Sequence, residues 1–203
     1  ATGLSAKQAK QESTGKPNPP EKWNRVATCR YGTMIYNKND IYIGRSLEKY
    51  GEFSEGEANL FRQVVKPGQV VVEVGANIGA HTVLLAMLTG PEGRVHAFEP
   101  QRLVFQVLAG NIAINNLNNV FCYQKAVGKA SGSVLVPVLD CERENNWGGL
   151  GLGDWKQGEP VELITLDQLN LYACHFLKID AEGMELEVLQ GATGLIERCR
   201  PVI

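Results

Sequence analysis

The chain lacks most of the features that would place it at a glance. No apolar run approaches the ~20 residues of a membrane-spanning helix, so no membrane partner is expected. The N-terminus has no apolar stretch of the kind that forms a signal peptide. A net charge of −2 over 203 residues gives no electrostatic case for nucleic acid or an anionic lipid surface. The five cysteines (Cys29, Cys122, Cys141, Cys174 and Cys199) never fall at C-x-x-C spacing, and the three histidines stand apart from one another. A zinc site is therefore not expected, and the scattered thiols read as reduced, as in a cytoplasmic protein. No internal repeat is visible.

What is present is ordinary in bulk, with 44% hydrophobic and 21% charged residues, enough for one domain with a sizeable core. Residues 1–24 are polar and end in a proline-rich patch, which predicts a disordered or linking arm. Residues 25–69 predict a hairpin with its turn at YNKND, then a helix. That helix begins near Ser54, with Glu57 completing a capping box, carries Ala58, Phe61, Val64 and Val65 at helical spacing, and stops at Pro67-Gly68.

From residue 70 to 203 strands and helices alternate. VVVEVG, RVHAFEP and VFCYQKAVG read as strands. HTVLLAML and QRLVFQVLAGNIAINN, with Leu103, Val107 and Ile114 on its apolar side, read as the helices between them. The alternation then breaks. SGSVLVPV and VELITL read as strands around a long glycine-rich loop. FLKID is a further strand, and MELEVLQGATGLIERC a helix kinked at Gly191. This order predicts an α/β fold of Rossmann-like type, with a mostly parallel sheet and right-handed crossovers. Ligands on such sheets bind at the carboxyl ends of the strands. That edge gathers Glu73 to Asn77, Glu99-Pro100, Ala126 to Gly128 and Asp180 to Gly183.

The turn after the first of these strands, GANIGA, is close to the dinucleotide fingerprint but not equal to it. Aligned on Gly75, the middle glycine that lets a pyrophosphate approach the backbone is Asn77 here, and the third position is Ala80. A nucleotide-type turn is predicted, with Gly75 and Gly79 allowing close backbone approach, but not one built for a pyrophosphate. Glu99 ends the second strand about twenty residues further on, where a carboxylate can accept from both hydroxyls of a ribose.

Glu73 lies inside a strand that is expected to be covered on both faces, where a lone charge is costly. Lys178 sits at the same height in FLKID, so the two are expected to pair, directly or around a ligand amine. Asp180 and Glu182 at the cleft edge suit a general base, a group that orients a substrate hydroxyl, or a Mg²⁺ site, and the pattern leaves that choice open. Glu185 and Glu187 read as helix N-terminal charge, and His81 as packing on the first turn of its helix. Trp147 and Trp155, in the long loop with Asn145 and Asn146, are equally suited to a lid and to covering the core.

Taken together, VVVEVGANIGAHT, VHAFEP, the QKAVG strand end and FLKIDAEGMELEVLQGA resemble the FkbM family of S-adenosylmethionine-dependent methyltransferases, over about residues 40–203. The resemblance implies a class I methyltransferase sheet and S-adenosylmethionine as the methyl donor, which has no phosphate and so needs no middle glycine. It implies that Glu73 and the backbone of Gly75, Ala76 and Asn77 hold the methionine end, and that Glu99 holds the ribose. Lys125, Ala126 and Val127 would contact the adenine, and Asp180 and Glu182 would face the methyl group and its acceptor. The implied reaction is O-methylation of a sugar or another small hydroxylated metabolite. Sheets of this class close with an antiparallel pair, whereas this chain stops at Arg200 to Ile203. A sheet truncated at its C-terminal strands is therefore expected, with the edge covered by a further segment or by a second copy of the chain. Two other readings remain open on the residues: an S-adenosylmethionine-binding module without catalysis, and a nucleotide-dependent oxidoreductase, against which Asn77 argues.

Overall fold

The computed structural model describes residues 22–151 and 155–203. The arm expected over residues 1–24 falls almost wholly outside them. The described chain opens with an antiparallel hairpin, β1 (Asn24–Cys29) and β2 (Gly32–Asn37). Its turn is at Arg30-Tyr31, not at YNKND. The segment DIYIG, whose alternating Ile41, Tyr42 and Ile43 read as strand, instead leads into helix α1 (Ile43–Tyr50). The reason is local: the Asp40 carboxylate accepts from the backbone N–H groups of Tyr42 and Gly44, both at 3.0 Å, and so folds the chain into a turn.

Helix α2 (Glu55–Val64) buries Ala58 and Phe61 at its expected apolar positions. Ser54 does not cap it. That residue is in the left-handed region at φ 52° and its side chain makes no capping bond; Glu55 instead pairs with Arg30 and Arg62.

The central sheet has the order β5-β4-β3-β9, parallel throughout. Its members are β3 (Val70–Val74), β4 (Arg94–Phe98), β5 (Val120–Tyr123) and β9 (Phe176–Ile179). Helices α3 (Ala80–Thr89) and α4 (Arg102–Ile114) are the crossovers. β3 is buried at all five positions, as a central parallel strand covered on both faces should be.

The predicted strand VFCYQKAVG is split. After β5 the chain steps into β6 (Ala126–Val127), which joins β8 (Glu159–Ile164) and β7 (Gly132–Val136) in a second, three-stranded sheet. After β9, helices α5 (Glu185–Gln190) and α6 (Thr193–Cys199) are separated at Gly191-Ala192, where the kink was expected. Val202 then pairs in parallel with Phe176 on the free edge of β9, bonded on both sides (Leu177 N–H to Val202 O, 2.8 Å; Val202 N–H to His175 O, 3.0 Å). Among the described residues no antiparallel strand joins this sheet.

The N-terminal hairpin is sewn onto the sheet domain. Asn111 on α4 and Asn115 just past its end each donate to and accept from the backbone of β2, at Ile35 and Thr33 respectively. Two side-chain amides thus do for the β2 edge what a neighbouring strand would do. Met34 and Tyr36 of β2 share one apolar cluster with Ile43 and Leu47 of α1 and with Val104, Val107 and Leu108 of α4. The hairpin therefore has no core of its own.

Candidate functional site

A cavity of about 360 Å³ opens at the carboxyl ends of β3, β4 and β9 and beside β6, within the range of roughly 300–1,000 Å³ usual for small-molecule sites. Its floor is the strand ends. At Gly75 the backbone is left-handed, φ 81°, and an added Cβ would lie 1.9 Å from the Asp180 carbonyl oxygen. Only glycine allows the turn after β3 to pack on the end of β9 in this way.

The N–H groups of this turn are used within the protein. Those of Gly75 and Ala76 both donate to the Phe98 carbonyl (3.0 and 2.9 Å), and that of Asn77 donates to Glu99 Oε2 (3.0 Å). The turn thus folds back on the end of β4 and uses these three N–H groups within the chain. Asn77, at φ 51°, also accepts from the N–H of Ile78.

Glu99 is the best-defined polar group of the floor. Gln101 N–H donates to its other oxygen, Oε1, at 2.8 Å. One N–H thus holds each carboxylate oxygen, and the remaining lone pairs are available on the cavity wall. Burial pushes the carboxyl up to about 7. The two backbone bonds oppose this, and the neighbouring Glu73 charge adds to it. Pro100, Lys125, Ala126 and Val127 line the same wall, with Lys125 paired to Glu162 at 2.9 Å.

Asp180 and Glu182, at the end of β9, also line the cavity. Burial, with Asp180 and Glu185 nearby, raises the Glu182 carboxyl above its ordinary value. Glu185 behaves as helix N-terminal charge, accepting from the N–H groups of Ala181 and Gly183.

Glu73 and Lys178 are register partners on β3 and β9, with Lys178 Nζ 3.7 Å from Glu73 Oε1 and 3.4 Å from Asp180 Oδ2. Thr82 donates to Glu73 Oε2 at 2.6 Å. Burial raises the Glu73 carboxyl, against the pull of Lys178 and the Thr82 bond. The pairing expected from sequence is therefore present, but it lies under the floor: Glu73 is not among the residues lining the cavity. Neither is Ala76, which is core, nor Gly79, at which a Cβ would lie 2.7 Å from Leu108 Cδ1 of α4. Gly79 serves helix packing. His81 is buried between the rings of Phe53 and Phe61, and burial with the nearby Lys178 charge pushes it down to about 4.

The roof holds residues that sequence reasoning passed over. Tyr42, Ile43 and Phe53 come from the N-terminal segment, and Leu150 extends the wall that Asn146 and Trp147 begin in the long loop. Gln101 was likewise missed on the floor. Its signal was its place two residues beyond a strand-end acid, whereas Tyr42 and Ile43 were hidden by the strand-like reading of DIYIG. Trp147 is buried and lines the cavity. Trp155 is half-exposed and donates to the Gly151 carbonyl. Among the described residues no group of three or more His, Cys, Asp or Glu is placed to hold a metal ion.

The family model described as the methyltransferase FkbM domain matches residues 73–203, well over half of the chain. The chain belongs to this family. Among its relatives, methyltransferase sdnD of Sordaria araneosa is 28% identical, the match covering 60% of this chain and 59% of that protein. Methyltransferase 1 of Beauveria bassiana (strain ARSEF 2860) is 23% identical, covering 60% and 57%. The chain thus spans less than two thirds of the length of either relative. Among solved structures, M. jannaschii TYW2 in complex with AdoMet is 22% identical at a TM-score of 0.39, covering 53% of this chain and 45% of that one.

Proposed function

We propose that the protein transfers the methyl group of S-adenosylmethionine to a hydroxyl oxygen of a small molecule such as a sugar. The observation that carries this reading is the Glu99 carboxylate, each oxygen held by one backbone N–H, in a cavity that Asp180 and Glu182 also line. The fit to the donor is chemical. Glu99 offers its free lone pairs to two ribose hydroxyls, Ala126 and Val127 give an apolar wall for a purine, and Asp180 and Glu182 bring negative charge to a sulfonium.

The bound donor supplies a methyl carbon activated by positive sulfur. The chain's part is alignment and proton removal. Asp180 and Glu182 would orient the acceptor hydroxyl toward that carbon, and one of them would take the hydroxyl proton as the oxygen gains the methyl group and the bonding electrons leave with sulfur.

Mass spectrometry of the purified protein for co-bound S-adenosylhomocysteine, followed by labelled-methyl transfer to a panel of hydroxylated compounds, tests the reading. The expected result is a retained nucleoside and label on oxygen. Absence of both binding and transfer would refute it. Asp180→Asn is expected to lower turnover far more than S-adenosylhomocysteine affinity; equal losses in calorimetry and turnover would make Asp180 a donor-binding residue only.

A further inference from the structure

The two flanks of the roof are remote in sequence. Tyr42 and Ile43 precede the family-matched span, and Asn146 to Leu150 lie deep within it. They meet beside one buried side chain. Asp40 is 2% exposed, and its carboxylate accepts from Tyr42 N–H through Oδ1 and from Gly44 N–H through Oδ2. The nearby backbone N–H groups of Ile43 and Trp147 join those of Tyr42 and Gly44 in opposing the rise that burial gives this carboxyl. The backbone beside it is paired to the loop: Asp40 bridges Asn145 in parallel, Ile41 N–H donates to Asn145 O (3.1 Å) and Asn145 N–H to Asn39 O (3.0 Å). The amides of Asn37 and Asn39 both donate to the Cys141 carbonyl, at 3.0 and 2.9 Å.

A buried carboxylate costs desolvation, and the bonds it accepts from Tyr42 and Gly44 offset that cost while fixing the turn that the loop backbone pairs with. The arrangement holds Trp147 over the cavity, with its buried indole N–H lacking any partner among the described residues. Beyond Trp147 the loop also runs close to both floor turns. An added Cβ at Gly148 would lie 2.9 Å from Asn77 Nδ2, and one at Gly151 2.7 Å from the Glu182 carbonyl oxygen.

We propose that Asp40 is a positioning residue that clasps residues 141–150 to residues 37–44 and thereby shapes the acceptor side of the cavity. The word "acceptor" rests on the methyl-transfer reading; the clasp itself does not. The test uses the full chain with Asp40→Ala, Asp40→Asn and Asn39→Ala. It reads amide hydrogen exchange across residues 141–150, S-adenosylhomocysteine affinity by calorimetry and, with an acceptor in hand, both Michaelis constants.

Asp40→Ala is expected to speed exchange at 141–150 by about tenfold or more, with S-adenosylhomocysteine affinity changed less than about threefold. Asp40→Asn should fall between it and the parent, since one acceptor oxygen remains. The acceptor KM is expected to rise about tenfold while kcat and the donor KM move little. Unchanged exchange in folded Asp40→Ala overturns the clasp. Should that variant not fold, Asn39→Ala decides: faster exchange confined to 141–150 supports the clasp, and none overturns it. Donor affinity lost in step with loop protection would overturn the acceptor assignment. A protein that binds no S-adenosylhomocysteine at all refutes the proposed function, while the exchange data still decide the clasp.

Discussion

The floor and the roof of the cavity are built differently. The floor is made of strand ends in one parallel sheet, where neighbouring residues share a height because the ladder sets their register: Glu73 faces Lys178, and Val74 faces Ile179. The roof is made of a turn, a short helix and a loop joined by side-chain and backbone bonds across about a hundred residues. A floor of this kind can only be altered by breaking the core. A roof of this kind can be altered without touching the sheet.

The sharpest test of this contrast is on the floor. Glu99→Ala removes a charged acceptor and orphans the Asn77 and Gln101 N–H groups. Hydrogen bonds to charged groups are worth about 1.5–3 kcal/mol each, so S-adenosylhomocysteine affinity is expected to fall by roughly two to four orders of magnitude. Unchanged affinity in calorimetry would remove Glu99 from the donor site.

Next in size is the pair under the floor. Lys178→Met leaves Glu73 buried without a counter-charge and is expected to cost about 3 kcal/mol or more of stability, whereas Lys178→Met with Glu73→Leu should recover most of it. Chemical denaturation reads both. If the double variant is no more stable than the single one, the pair is not the reason for the loss.

A smaller effect separates the floor's electrostatics from its shape. Because burial holds the Glu99 carboxyl near 7 rather than at its ordinary value of 4.5, the folded protein binds more protons than the unfolded chain between those values. Glu99 therefore contributes stability that is present below pH 4.5 and lost as the pH rises through 7. Ribose hydroxyls donate to the ionised form, so donor-product affinity should run the other way, rising about tenfold per pH unit below 7 and levelling above it. Glu99→Gln should abolish both slopes, and a slope that survives it belongs to another group. The smallest expected change is for Lys125→Ala. Its partner Glu162 is largely exposed and such pairs contribute little, so donor-product affinity should move less than about threefold. A larger loss would give Lys125 a direct contact with the ligand.

The difference between floor and roof is also a difference in legibility. Glu99, Asp180 and the Gly75 turn were readable because strand ends, glycine and an acid at a set distance follow from local pattern. The Glu73–Lys178 pair was readable because the period of a strand fixes height. Two departures share another cause: the hairpin turns at Arg30-Tyr31 rather than at YNKND, and Ser54 makes no cap for α2. In each, a bond from elsewhere in the chain, or from a nearby side chain such as Asp40, outbid the local pattern.

Composition and periodicity by themselves determined the alternating α/β order, the mostly parallel sheet and the edge at which its polar residues collect, because burial on both faces of a strand dictates its residues one by one. Only the tertiary structure decided that Glu73, Ala76 and Gly79 lie behind the cavity rather than in it, and that Tyr42, Ile43 and Phe53 close it. Those placements depend on contacts between segments far apart in the chain, and no spacing within one segment records them.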